Sequence, residues 1–183
     1  MNQNRNLASI IQGCKKMDEK SQHELYLLYY SYGATISMSY AQDKDEAIHI
    51  LHDAFIKVFC KINTFKMELE FKPWFRRILK NTAINYFNKR KGKSRDVNIE
   101  EMQIASNEDV LGKLNYNEIL KIAQTLSPAY RNVFNMYAVD GYKHKEIAEK
   151  LGITISTSKA NLTKAKANLR KIVSKKYEIG YVG

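Results

Sequence analysis

Between positions 77 and 88 an arginine, a lysine and three asparagines recur at intervals of three and four residues: Arg77, Lys80, Asn81, Asn85 and Asn88. On a helix that spacing gathers them, with Ile84, on one face. An asparagine amide donates and accepts together, which matches exposed base edges, while Arg and Lys neutralise phosphate. A merely solvated face would account for the cations. It accounts less well for three asparagines, which are mediocre helix formers.

A second set lies in HKEIAEKLGITISTSKANLTKAKANLRKIV. Ile147, Ala148 and Leu151 form the inward face of a short helix, and Gly152 ends it where a tight turn needs a left-handed residue. Ile153 plugs the turn and Thr154 caps a second helix. In that helix Ser158, Leu162, Ala165 and Leu169 repeat inward, while Ser156, Lys159, Ala160 and Thr163 share the outer face. Short side chains let such a helix settle in a major groove, where Lys159 reaches a guanine edge, Ser156 a base or phosphate, and Ala160 or Thr163 a thymine methyl. Lys164, Lys166, Arg170, Lys171, Lys175 and Lys176 continue the basic run as phosphate contacts. The turn, the cap, the inner face and the unmixed charge together describe a helix-turn-helix that reads duplex DNA.

A third set has less obvious chemistry. His49, Asp53, Ile56 and Cys60 share one side of a helix whose other side is apolar, so an isoleucine and a cysteine stand where the surface should be wet. The face is either a second packing contact or a docking surface for another protein. His49 and His52 lie near Asp53, but no further His or Cys completes a metal site, and surface histidines are the better reading.

The elements that must carry these sets are helices. Two prolines and eight glycines in 183 residues leave few loops. Leu7 to Tyr40 reads as two helices divided by Gly13 and MDEK, with a stripe of Leu25, Leu28, Tyr29, Tyr32 and Ile36. DKDEAIHILHDAFIKVFCKI is the next, its apolar face made by Ala47, Ile48, Leu51, Ala54, Phe55, Val58, Phe59 and Ile62. Residues 63–70 form a loop. A helix from Phe71 to about Lys91 then buries Phe71, Phe75, Ile78, Leu79, Thr82 and Tyr86. From Asp96 to Asp109 the chain turns acidic and aperiodic, marking a linker over residues 92–113. Beyond it Asn117 to Leu126 is helical, and Ser127-Pro128 opens a helix that stops at Asp140-Gly141. The fold class is all-α: two small helical domains, 1–91 and 114–178, the second a four-helix domain containing the helix-turn-helix.

Thirty Lys and Arg against nineteen Asp and Glu give a formal net charge of +11, which favours polyanions, nucleic acid before membrane surface. Cys14 and Cys60 are too few and too far apart for a disulfide framework, and a reducing cytosol fits. No apolar run approaches the roughly 20 residues of a membrane span, and MNQNRN lacks a signal peptide's apolar core, so a cytoplasmic protein without membrane insertion is expected. No cofactor is expected. Nucleic-acid enzymes such as zinc deaminases and metal nucleases need ligand clusters that the sequence lacks.

FKPWFRRILKNTAINYFNKRK resembles the region 2 helix of extracytoplasmic-function sigma factors, and LSPAYRNVFNMYAVDGYKHKEIAEKLGITISTSKANLTKAKANL resembles their region 4, in the family's order and spacing from about His23 to Ile172. The resemblance implies a transcription initiation factor, not an enzyme, whose partners are core RNA polymerase, promoter DNA and an anti-sigma factor. It implies −35 duplex reading by Ser156, Thr157, Lys159, Ala160, Asn161, Thr163 and Lys164. It implies −10 melting by Phe65, Lys72, Arg77, Lys80, Asn81, Asn85 and Asn88, with loop 63–70 holding a flipped base. Polymerase docking falls to His49, His52, Asp53 and Ile56. His52 stands where the family usually has Gln, Asn161 replaces a usual Arg, and Ser158 replaces an apolar residue and should weaken inner packing.

Two other readings of the residues stand beside this one. A helix-turn-helix repressor or activator with a ligand-sensing or dimerising first domain would bind palindromic duplex alone. An adaptor contacting membrane or acidic partners would not require the Gly152 turn.

Overall fold

Asn6, Asp18 and Asp43 each stand just before a helix and turn a side-chain oxygen onto an amide three residues on, at 2.8 Å to Ser9 N, 2.9 Å to Ser21 N and 2.8 Å to Glu46 N. Such caps satisfy amides the helix cannot, and each contributes about 1 kcal/mol. In the computed structural model, which describes residues 6–91 and 116–177, they open α1 (Leu7–Lys15), α2 (Glu19–Tyr40) and α3 (Lys44–Lys61). The break between α1 and α2 falls at Met17, with a φ of 61°, and Gly13 lies inside α1. A 3-10 turn, Ile62–Thr64, follows α3, and α4 runs Phe71–Lys91. The linker expected at 92–113 lies outside the described residues.

The chain divides into two compact units, Met1–Ala83 and Ile84–Gly183, with the division inside α4. In the first, aromatic rings from three helices meet: Tyr29 and Phe71 lie 4.7 Å apart between centroids, Phe55 and Phe75 4.9 Å. Leu25, Leu51, Val58 and Leu79 complete this core. Gly33 lets α2 come close, because a Cβ there would lie 2.5 Å from Leu51 Cδ1 and 3.1 Å from Phe75 Cζ.

That crossing corrects part of the expected periodicity. The buried side of α2 follows Ser21, Leu25, Tyr29, Gly33, Ile36 and Tyr40, and Leu28, about 100° round the helix from Tyr29, is 57% exposed. On α3, Ile50 is buried although it lay outside the expected face, while Ile48 and Phe59 are only half-buried. On α4, Ile84 is buried rather than aligned with the exposed amides, and Ile78 and Tyr86 are half-buried.

The second unit comprises α5 (Tyr116–Ala123), α6 (Pro128–Phe134), α7 (His144–Leu151) and α8 (Ile155–Tyr177). α5 ends earlier than expected, and the turn after it is fastened by the buried Arg131, whose Nη2 donates to the Gln124 and Leu126 carbonyls at 2.9 and 2.8 Å. Ser127 is the residue before α6 but makes no side-chain cap; Pro128 starts the helix. A π-helical turn, Asn135–Val139, then delivers the chain to Gly141 at a φ of 73°. Val133, Met136, Ile147, Leu151, Ala165, Leu169 and Val173 form the core. Among the described residues no helix is long and apolar enough to cross a membrane.

Candidate nucleic-acid interface

The turn between α7 and α8 is built as its residues dictate. Gly152 sits at φ 59° and ψ 46°, the left-handed region that a side chain makes costly, and its amide donates to the Ala148 carbonyl. The backbone amide of Lys143 donates to Glu146 Oε2 at 2.8 Å, which pins the start of α7. Thr154 Oγ1 accepts from Thr157 N at 3.0 Å and starts α8. Ile153 is half-buried, so it closes the turn only in part.

On α8 the inward residues Ser158, Leu162, Ala165 and Leu169 are buried, and Ser156, Lys159, Ala160 and Thr163 are exposed on the other side. Thr163 Oγ1 donates to the Lys159 carbonyl at 3.2 Å. Asn161 and Lys164 are half-buried at the edge of this face. Thr157 is corrected: its hydroxyl lies 2.8 Å from Thr154 Oγ1 and its amide is in the cap, so it builds the helix start. Ser158 also departs from expectation. It is buried, and its hydroxyl is satisfied, with Oγ 2.9 Å from His144 Nδ1.

Along α4, Arg77, Asn81 and Asn85 are exposed at intervals of four, Arg77 and Asn81 before the division between the units and Asn85 just past it, and Lys72 is exposed at the helix start. Lys80 is half-buried. Asn88 is half-buried, and its Nδ2 donates to the Lys150 carbonyl at 2.8 Å; that amide is already engaged, which corrects its place in the exposed row. Phe65 is 3% exposed, with its ring 5.6 Å from Phe71 and 5.1 Å from Trp74, so it anchors the loop, and it also lines the cavity next to it. Lys15 Nζ donates to the Phe65 carbonyl at 2.8 Å and fastens the same point to α1. Beyond this anchor opens a cavity of about 410 Å³, with Leu7 and Ile11 on one wall, Met67 and Leu69 on another, and Lys72 at the end of α4. The anchoring role of Lys15 carried no signal in the sequence, since its partner is a backbone carbonyl fifty residues away.

On α3 the third set is exposed as expected: His49, Ile56 and Cys60 face outward, Ile56 at 60%, with Asp53 half-buried among them. His52 is exposed, with Nε2 3.3 Å from the Tyr26 hydroxyl.

Comparison with known proteins defines the class. The family model described as Sigma-70 region 2 matches residues 25–93, and the one described as Sigma-70, region 4 matches residues 116–169. RNA polymerase sigma factor SigV of Bacillus subtilis (strain 168) is 28% identical over 132 residues, covering 71% of this chain and 77% of that protein. The ECF RNA polymerase sigma-E factor of Escherichia coli (strain K12) is 23% identical over 170 residues, covering 86% and 88%. A solved structure of the sigma factor RpoE with the anti-sigma factor NepR from Bartonella quintana aligns at a TM-score of 0.47 and 23% identity, over 83% of this chain and 96% of that one. The chain belongs to the sigma-70 family, in its extracytoplasmic-function group. It is a transcription factor that directs initiation with RNA polymerase.

Proposed function

We propose that two helices divide promoter recognition: α8 reads the −35 element as duplex, and α4 with the loop before it holds the −10 element as separated strand. The observation that carries this reading is the pair of exposed polar rows, Arg77, Asn81 and Asn85 on α4 and Ser156, Lys159 and Thr163 on α8. The second suits a groove, because its side chains are short around one lysine. The first suits unpaired bases, because amides satisfy edges that a duplex hides. The cavity beside Met67 and Lys72 is large enough for one nucleobase and has an apolar lining for its faces. Melting is then a population shift: the protein binds the opened strand better than the closed one.

Core polymerase docks on α3, where Ile56 gives an exposed apolar centre beside His49, His52 and Asp53. An anti-sigma factor belongs to this reading through the family resemblance alone.

The test is transcription by core polymerase with the protein added, on a promoter library. Specific starts that depend on the protein support the reading. Asn81→Ala with Asn85→Ala should lower open-complex formation about tenfold or more, the loss of two hydrogen-bonding amides. Duplex contacts by α8 should be spared. Unchanged permanganate reactivity of promoter thymines in that double variant would sink the melting role.

A further inference from the structure

Ser158 is completely buried on the inner face of α8, among Leu162, Ala165 and the residues of α7. A helical serine usually returns its hydroxyl to the carbonyl four residues back. Here the Thr154 carbonyl accepts the Ser158 amide at 3.0 Å, and the hydroxyl reaches across to His144 Nδ1 at 2.9 Å. His144 is the first residue of α7, and its other side is covered by Tyr137 from the π-helical turn, ring centroids 4.6 Å apart and nearly parallel at 23°. One imidazole therefore joins three consecutive elements. The contact falls one residue from Lys159, the most assertive side chain of the outward face.

We propose that His144 is a positioning residue for promoter reading: by holding Ser158 it sets the rotation and depth of α8, and so the aim of Lys159, Ala160 and Thr163. It touches no DNA itself. The proposal rests on the reading of α8 as the duplex reader. Apolar side chains at the two positions would pack α8 against α7 with no preferred rotation, whereas a single hydrogen bond between the buried Ser158 hydroxyl and the half-buried His144 ring has one satisfied geometry. The cost of leaving the buried hydroxyl without its partner enforces it. Tyr137 stacks on the ring, and burial, then Lys159 and Lys166 of α8, lower its pKa.

The experiment uses the full chain with core RNA polymerase on promoters selected by the wild-type holoenzyme from a random duplex pool. Ser158→Ala removes the hydroxyl and leaves the helix intact; His144→Phe keeps the stack on Tyr137 and removes the nitrogen. Each should lower promoter affinity about three- to tenfold, and the two together should do no more than either alone. His144→Asn, which retains a polar group near Ser158, should recover part of the loss. In the full chain alone, Ser158→Ala should also move the imidazole nitrogen resonances of His144, a change that a simple packing role would not produce. Lys159→Ala serves as the control. If it lowers promoter affinity while Ser158→Ala and His144→Phe do not, or if those two losses add, positioning by His144 is overturned. If Lys159→Ala is also silent, the duplex reading by α8 has failed instead.

Discussion

At the scale of the residue, His144 shows how an environment decides a charge. Burial first, then Lys159 and Lys166, hold its pKa below the ordinary value of 6.5. The unfolded chain therefore binds the proton more readily than the folded one. The neutral ring's contribution to stability is fully present above the unfolded value of about 6.5 and is lost as pH falls through the lower folded value. Denaturant unfolding of the full chain between about pH 5 and 8 should show stability declining on the acid side, and His144→Phe should flatten that decline. An unaltered acid slope in the variant would assign the decline to other groups. Lys159 and Lys166 also tie this titration to DNA, since phosphate near either lysine relieves the repulsion that disfavours the imidazolium.

At the scale of the element, legibility followed periodicity and failed where a neighbouring helix decided the outcome. The α7–α8 turn was readable because a left-handed glycine, a threonine cap and an inner stripe are local rules, and each was met at Gly152, Thr154 and Leu162–Leu169. Helical spacing puts Leu28 inside and Ile84 outside, and the structure reverses both, because spacing alone does not say how wide the buried arc is or where its centre lies; Gly33 sets that on α2. The family resemblance gives Phe65 to DNA, yet Trp74, Phe71 and a lysine from α1 hold it inside. The exposed rows of the candidate interface were legible; the polar bonds that position them, Ser158 to His144 and Lys15 to Phe65, were not, because both join residues far apart in sequence.

Gly33 carries the element-scale prediction. Alanine would gain about 1 kcal/mol of helix propensity, but its methyl meets buried Leu51 and Phe75, and overpacking of this kind costs about 1–3 kcal/mol. Gly33→Ala should therefore be net destabilising by about 1 kcal/mol, read as a lower denaturant midpoint with an unchanged slope. A midpoint at or above the wild type's would mean that Leu51 yields freely, and that the approach of α2 to α3 and α4 does not depend on the missing Cβ.

At the scale of the whole molecule, the two exposed rows lie on separate helices, α4 and α8, and that separation makes a quantitative claim about how the promoter is held. If α8 grips duplex while α4 grips the opened strand, their contributions enter different steps. Lys159→Ala should weaken the first, closed complex by about 1–3 kcal/mol, the worth of a good base contact, and should leave the subsequent opening rate near its starting value. Asn81→Ala with Asn85→Ala should do the reverse. Because the altered residues share no partner, the triple variant should lose the sum of the separate free energies to within about 0.5 kcal/mol, measured as promoter occupancy and strand opening by the polymerase holoenzyme. A basic chain of net charge +11 makes salt a second axis for the same test. Neutralising Lys159 should reduce the salt dependence of the closed complex by about one counterion, whereas the asparagine changes remove no charge and should leave that slope alone. Strong non-additivity, or a salt slope moved by the asparagine changes, would mean that the polymerase couples the two grips so tightly that duplex capture and strand capture are one event.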